Sequence, residues 1–160
     1  MEDIWNITAL VVSVLSVLLS LYALRQATTK NTSDMYLFFI SQYAKEDMKL
    51  ALRKLKDIKR GVYRLEQWES DMKNNLPKAF EYDEARRLGK YFYDTLAYMK
   101  LEKLIEARFV RLICLKKGAW LYLDTVEAME KFFDSGYDKK PYAVIRDVCE
   151  NLRKEGCCPP

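Results

Sequence analysis

The sequence predicts an all-α protein, in which one N-terminal transmembrane helix precedes a compact cytoplasmic bundle of about five or six helices. Residues 4–24 contain no charged side chain, and 16 of these 21 residues are apolar. Apolar residues then recur at three- and four-residue steps through much of the remaining chain, and no convincing strand alternation is present. The predicted boundaries are a transmembrane anchor (1–25), a linker (26–34), a helical cytoplasmic domain (35–155) and a cysteine-containing tail (156–160).

The N-terminal apolar segment has the length of a membrane span. A helix of 21 residues is about 30 Å long, the thickness of the hydrocarbon core of a bilayer. Trp5 and Tyr22 lie near its two ends, where amphipathic rings favour the interface, and Arg25 ends the run. A cleaved signal peptide is the main alternative, but it normally begins with positive residues, whereas Glu2 and Asp3 precede this run. We therefore expect a retained anchor.

The distribution of cations predicts the orientation of this anchor. All 27 Lys and Arg residues follow residue 24, beginning with Arg25 and Lys30. Since Lys and Arg favour the cytoplasmic side, we expect a single-pass protein of the cell inner (cytoplasmic) membrane, with its N-terminus outside and its C-terminal domain in the cytoplasm. Residues 25–160 contain 27 cations and 21 acids, a formal charge of +6.

Small residues are spaced along one face of the predicted span, at steps of four, three and four. Such a face allows another helix to approach closely in lipid, so it favours packing against other membrane protein subunits or a second copy of the chain. The alternative is that the serine hydroxyls bond to their own helix backbone. The residues of this predicted packing face are Ala9, Ser13, Ser16 and Ser20.

A basic stretch follows in the first helix of the domain, and a solvated helix face is its first interpretation. Contact with the anionic headgroups of the lipid bilayer is the second, because each nearby cation contributes on the order of 1 kcal/mol there. No nucleic-acid-binding motif accompanies the charge, so we expect no nucleic-acid partner. The candidate headgroup contacts are Arg25, Lys54, Lys56, Lys59 and Arg60.

The helices of the domain are predicted from apolar periodicity and from their ends. Ser33 or Asp34 is a plausible N-cap for the first, and Asp83 for the most strongly patterned one. Glycines follow several of the predicted ends, and Pro141 lies in the first turn of the last helix. The predicted helices cover residues 35–58, 65–74, 83–104, 107–115, 119–133 and 141–153.

The composition excludes several chemistries. The chain has no His, which removes the commonest general base and His-containing metal sites. Its five glycines are isolated, so no phosphate-binding loop is present. Carboxylates at helical steps, such as Glu81 with Glu84 or Glu127 with Glu130, are typical of ion-paired surface helices. We therefore expect no catalytic residue, no metal site and no cofactor.

Most of the 21 aromatic residues recur at helical spacing, which favours a role in the core. Four of them near the middle of the domain carry a second interpretation. If the folded domain exposes them together, they form a partner surface. These residues are Trp120, Tyr122, Phe132 and Phe133.

The four cysteines divide into two groups. Cys114 lies in an apolar stretch and is predicted to be a small buried residue, and Cys149 lies in the last predicted helix. Cys157 and Cys158 are adjacent in the tail, where exposed thiols are open to oxidation. A redox-sensitive pair and an inert, frayed tail are both consistent with this position.

Five segments resemble a family of small single-span prokaryotic membrane proteins of unknown function: 84–88 (EARRL), 91–93 (YFY), 96–98 (LAY), 104–106 (LIE) and Trp120. Members of that family are similar in having an N-terminal membrane helix, a short polar linker and a helical cytoplasmic domain. The resemblance implies this architecture for the chain. It implies no activity, and it does not extend to the cysteine-containing tail.

The functional expectation is a membrane-anchored, non-enzymatic interaction or accessory protein that docks on the cytoplasmic side of a larger membrane complex. A narrower version is a redox-responsive or inhibitory subunit. Two alternatives remain: an enzyme that acts at the membrane surface through carboxylates, and a homo-oligomeric membrane effector.

Overall fold

The computed structural model describes the backbone of residues 2–133 and 137–157, and the side chains of residues 15–23, 26, 30, 33–133 and 137–157. The chain divides into two compact units, Met1–Leu37 and Phe38–Pro160. The described part contains α-helices and no β-strand, so the all-α prediction is confirmed. The helices are α1 (Glu2–Ala44), α2 (Glu46–Lys59), α3 (Leu65–Lys73), α4 (Pro77–Leu101), α5 (Ala107–Cys114), α6 (Lys117–Leu121), α7 (Glu127–Phe133) and α8 (Lys139–Lys154).

The first unit consists of most of α1. The backbone of residues 26–34, predicted as a linker between anchor and domain, is helical and continues α1. Their polar side chains do not break it, since the segment contains neither Pro nor Gly. Among the residues whose side chains are described, no helix is long and apolar enough to cross a membrane. Residues 4–14 and 24 of the predicted span lie outside those described side chains, and the anchor stays a prediction.

The second unit begins with the last two turns of α1, which end at Ala44. One helix was predicted over residues 35–58, but Lys45 adopts an extended conformation (φ −61°, ψ 148°) and separates α1 from α2. Glu46 and Asp47 then occupy the first turn of α2. Acidic side chains are favourable at a helix N-terminus, which explains why a new helix begins here without a Pro or Gly signal.

The longest helix of the second unit is α4, and it packs against α2, α3 and α8. It begins at Pro77, six residues before the predicted cap at Asp83, because Pro is suited to the first position of a helix. Gly89 allows α2 to approach closely: a Cβ atom at this position would lie 3.3 Å from Leu55 Cδ1. Residue spacing predicts an apolar stripe on this helix through Ala85, Leu88, Phe92, Leu96 and Met99. Ala85, Phe92 and Leu96 are buried, and Leu88 and Met99 are half-buried.

A single helical path runs from Lys117 to Phe133, where one helix was predicted over residues 119–133. A π-helical segment, Tyr122–Val126, joins α6 to α7 along this path. Counting α6, the π segment and α7 together, six helices follow α1 in the described residues, and five or six were predicted. The last of them, α8, is capped by Asp138, whose carboxylate accepts a hydrogen bond from the backbone N–H of Lys140 at 2.9 Å.

The core of the second unit is rich in aromatic side chains, as their spacing predicts. Trp68 is fully buried and its indole N–H donates to the Ala79 carbonyl at 3.2 Å. Tyr122 and Tyr142 stack with their ring centroids 4.5 Å apart. Because each of these rings is large and buried, α3, α4 and α8 are held by packing as well as by hydrogen bonds.

Candidate functional site

An apolar groove of about 370 Å³ lies on the second unit, between α4 on one side and the end of α1 with the start of α2 on the other. Its floor is made by buried side chains, among them Phe39, Met48 and Phe92. Phe38 and Tyr91 stand at its edge, with 49% and 74% of their surface exposed. This groove, together with the hollow that continues it, is called the α2/α4 groove below.

The positions that line the groove follow from helix geometry. On α4 they include Leu88, Tyr91 and Thr95, at steps of three and four residues, which places them along one face. The opposite wall contains residues on both sides of the break at Lys45, from Phe38 at the end of α1 to Met48 at the start of α2.

The groove continues into a smaller hollow of about 230 Å³ between α2 and α4, which shares Asp47 and Leu88 with it. This end is acidic. Lys54 Nζ donates a hydrogen bond to Glu81 Oε2 at 3.1 Å and forms an ion pair with it. The carboxylates of Asp47 and Glu84 form no ion pair with any residue of the described chain. The α2/α4 groove is thus apolar at one end and negative at the other.

A buried ionic network lies on another face of α4. Arg86 Nε donates to Asp83 Oδ1 at 2.7 Å, and the Arg86 guanidinium also pairs with Glu130 of α7. Arg87 pairs with the other oxygen of Asp83 at 2.8 Å, and Lys90 lies 3.7 Å from Glu130. Each buried carboxylate therefore already has cationic partners, as a structural network requires.

The π segment places a tyrosine beside this network. The Tyr122 hydroxyl donates to Asp94 Oδ1 at 2.5 Å, and Asp94 also pairs with Lys90. Burial, followed by this hydrogen bond, raises the pKa of Tyr122 well above its usual range. A tyrosine held in the neutral form is a hydrogen-bond donor to Asp94, not a base.

The second carboxylate pair weighed from the sequence is also ion-paired. Glu127 is buried and pairs with Arg146 and with Lys131, and it accepts a hydrogen bond from Tyr137. No group of three or more His, Cys, Asp or Glu residues that could hold a metal ion occurs in the described part of the chain. Glu127 and Glu130 thus bind cations of the same fold, whereas in the first pair Glu81 binds Lys54 and Glu84 has no ion-pair partner among the described residues.

Comparison with protein-family models, with curated proteins and with solved structures found no match. The resemblance to small single-span membrane proteins stays a prediction, and the functional assignment rests on the geometry of this chain.

Part of the predicted small-residue face can be compared with the structure. Ser16 and Ser20 are exposed on α1. The Ser20 hydroxyl donates to the Ser16 backbone carbonyl at 2.8 Å, which is the local bonding that was weighed against a packing role. The side chains of Ala9 and Ser13 lie outside the described residues.

The four aromatic residues for which a partner surface was the second interpretation are not exposed together. Tyr122 is 1% exposed and belongs to the core. Trp120 is half-buried. Phe132 and Phe133 both pack edge-on against the buried Trp68. The condition for a partner surface, exposure of all four together, is not met, because Tyr122 lies in the core between Tyr93 and Tyr142, although Phe133 is 38% exposed.

The candidate headgroup contacts are divided by the fold. Lys54 is engaged by Glu81, and Lys59 pairs with Asp124 of the π segment at 2.5 Å. Lys56 and Arg60 are exposed on the outer face of α2. The Arg25 side chain lies outside the described residues. Contact of α2 with lipid headgroups stays a prediction, and two of its lysines, Lys54 and Lys59, are already in ion pairs within the fold.

The cysteines separate as the sequence indicates. Cys114 of α5 and Cys149 of α8 are fully buried, and the hydrogen bond with the Cys149 thiol, followed by burial, raises the pKa of Cys114. Cys157 is exposed just after α8, and Cys158 lies outside the described residues. The redox role of the tail pair stays a prediction.

The groove was missed from the sequence. Its clearest signal is Tyr91, an aromatic residue beside the apolar stripe of α4 and not within it. A second signal is the pair Phe38 and Phe39, of which only one can face the core of a helix that packs on one side. The first is 49% exposed and the second 1%.

Proposed function

We propose that this protein is a membrane-anchored, non-enzymatic interaction protein, in which residues 4–24 span the membrane and the second unit binds a helical segment of a partner in the α2/α4 groove. The observation that carries the proposal is the exposed apolar groove itself. Phe38, Leu50 and Tyr91 expose 49%, 45% and 74% of their surfaces around it. Contiguous apolar surface on a folded domain is typical of an interaction site.

The shape of the groove fits a helix better than an extended peptide. Its walls are α4 on one side and α2 with the last turns of α1 on the other. The groove between helices packed in this way can accept the side chains of a further helix. An amphipathic helix buries residues at steps of three and four in such a groove. An added strand would need a sheet edge, and the described chain has no strand.

The state of the buried charges supports an accessory role. Asp83, Glu127 and Glu130 are each paired with Arg or Lys side chains of the same unit. A general acid or base needs a pKa matched to its task and access to substrate. The ion pairs of these carboxylates instead link α4, α7 and α8, so they contribute to folding. The exposed groove is then the candidate site for partner binding.

The membrane half of the proposal comes from the sequence. A charge-free run of 21 residues with all cations on one side favours an anchor whose C-terminal unit lies in the cytoplasm of the inner membrane. The face with Ser16 and Ser20 offers a second contact, to a membrane helix of the same partner or of another copy. The partner is then a membrane complex whose cytoplasmic side reaches the groove.

Alkaline extraction of membranes tests the anchor. The full chain is expected to stay in the membrane pellet. Changing Leu15→Arg with Leu18→Arg is expected to release it, since each Arg near a span centre costs about 2.5–3.5 kcal/mol on insertion. The matched control is Leu15→Ile with Leu18→Ile, which keeps the apolar surface and should remain in the pellet. Release of the unmodified chain would contradict the anchor.

A further inference from the structure

We infer that the occupant of the α2/α4 groove is an amphipathic helix of a partner protein that carries Lys or Arg at one end of its contact face. The inference rests on the proposed function, since it names the partner chemistry of the same groove. Three observations carry it: the length of the groove, its division into apolar and acidic ends, and the charge of the surrounding unit.

The length of the groove sets the length of the helix. The lining residues on α4 extend from Glu81 to Thr95, which are 14 positions apart. At 1.5 Å per residue this is about 21 Å, or four turns of helix. A partner helix of about 14 residues therefore fills the groove from end to end.

The two ends of the groove differ in chemistry. Phe38 and Tyr91 line the apolar end, and Asp47 and Leu88 lie where the two hollows meet. Glu84 lines the other end, beside the Lys54–Glu81 ion pair. Neither Asp47 nor Glu84 has an ion-pair partner among the described residues. The partner helix should place its large apolar residues against the first end and its cations against the second.

The acidic end stands out because the rest of the unit is positive. Residues 38–160 hold 25 of the 27 cations and 20 of the 23 acids, a formal charge of +5. A cationic helix is repelled by most of this surface and attracted by the acidic end of the groove, so the charge fixes where and in which direction it binds. Lys45, near the apolar end, would pair with an acidic residue at the other end of the helix.

The same carboxylates argue against lipid as the occupant. Anionic headgroups of the inner leaflet are attracted by basic residues, whereas Asp47 and Glu84 repel them. An acyl chain would use the apolar end and leave the acidic end without a function. A protein helix uses both.

Labelled model peptides test the partner chemistry. The full chain is reconstituted in phosphatidylcholine nanodiscs, and peptides of 14 residues are titrated by fluorescence anisotropy, with empty nanodiscs as the blank. The first peptide has Leu at steps of three and four and two Lys at one end. Matched peptides replace the Lys residues by Gln or by Glu. Because each exposed ion pair contributes little, changing two pairs from attraction to repulsion should make the Glu peptide about tenfold weaker than the Lys peptide.

Charge reversal in the chain should reverse this preference. Asp47→Lys with Glu84→Lys is expected to weaken the Lys peptide about tenfold and to strengthen the Glu peptide. The control is Glu102→Lys with Glu150→Lys, which makes the same change in formal charge at exposed positions outside the groove. Its effect should stay within about twofold at physiological salt, where distant charges are screened. Glu84→Lys alone repeats the test if the double variant does not fold.

The apolar end has its own test. Tyr91 is 74% exposed, so Tyr91→Ser should leave the fold intact and weaken all three peptides about fivefold. Val62 is 72% exposed in the loop after α2, and Val62→Ser is the matched control that should change nothing.

Four results would overturn the inference. Equal binding of the Lys and Glu peptides would remove the charge argument. Dimers of the chain alone that Glu84→Lys disrupts would make a second copy the occupant. Groove-dependent binding of phosphatidylglycerol vesicles would make it lipid. If no peptide binds but a photo-crosslinker at position 91 captures a membrane partner, the partner chemistry is wrong and the proposed function stands.

Discussion

Replacing Arg86 by Met should destabilise the second unit more than any exposed substitution. The Arg86 side chain is 9% exposed and pairs with Asp83 at 2.7 Å and with Glu130. Its guanidinium also lies 4.6 Å from the centre of the Phe133 ring. Arg86→Met keeps most of the aliphatic volume but leaves two buried carboxylates with less compensation.

The magnitude follows from what remains around those carboxylates. Breaking a buried ion pair by removing one partner typically costs about 3–5 kcal/mol. Asp83 keeps Arg87 at 2.8 Å, and Glu130 keeps Lys90 at 3.7 Å. The lower end, about 3 kcal/mol, is therefore expected. For a chain of this size it corresponds to a fall of roughly 10 °C in the melting temperature.

Thermal unfolding followed by circular dichroism measures this, with the full chain in one mild detergent throughout. Arg87→Met is the matched control, because the Arg87 side chain is 70% exposed and pairs with the same Asp83. It should cost less than about 1 kcal/mol. The double change Arg86→Met with Glu130→Gln should be more stable than Arg86→Met alone, since it removes one uncompensated charge. A loss below about 1 kcal/mol for Arg86→Met, or a double variant less stable than the single one, would refute the network.

Three further predictions concern the core. Gly118→Ala should lower the free energy of unfolding by about 1–3 kcal/mol. The added Cβ atom would lie 2.6 Å from the hydroxyl of the fully buried Tyr93, and an unchanged melting temperature would contradict this packing. Burial raises the pKa of Tyr93 and Tyr122 in the folded state, so their contribution to stability is fully present below pH about 10 and is lost as pH rises above it. Melting temperatures between pH 9 and 11 should fall, with tyrosinate absorbance appearing on unfolding, and ordinary titration of all 11 tyrosines in the folded chain would refute it. Cys114 and Cys149 should react with a thiol reagent only after unfolding, and their rapid modification in the native chain would place them outside the core.

The helices were largely predictable because their signals are local. The spacing of apolar residues and the helix-end signals predicted α3 over 65–74 and α5 over 107–115. Each predicted helix is one residue longer than the observed one, which ends at Lys73 in α3 and at Cys114 in α5. The start of α4 at Pro77 was missed because Asp83 is also a good cap, and only tertiary packing of the first turns decides between them. The break at Lys45 has no local signal of comparable strength, since a Lys in an otherwise helical pattern does not predict an end.

The candidate site was not predictable for a related reason. Periodicity shows which face of α4 is apolar, but not how much of that face its neighbours cover. Tyr91 lies beside the predicted stripe and is exposed, whereas Tyr122, for which a surface was the second interpretation, is buried beside Asp94 through the π segment. Both outcomes depend on where α1 ends and how α6 joins α7, which are features of packing between distant parts of the chain.

Site-specific photo-crosslinking at Tyr91 in intact membranes tests the central claim most directly. A benzophenone amino acid replaces Tyr91 in one variant and Val62 in a control variant, and the two positions are 74% and 72% exposed. A membrane-anchored chain whose α2/α4 groove holds a partner helix should give one discrete adduct from position 91 in the membrane fraction and none from position 62. No adduct from position 91, or the same adducts from both positions, would contradict the account.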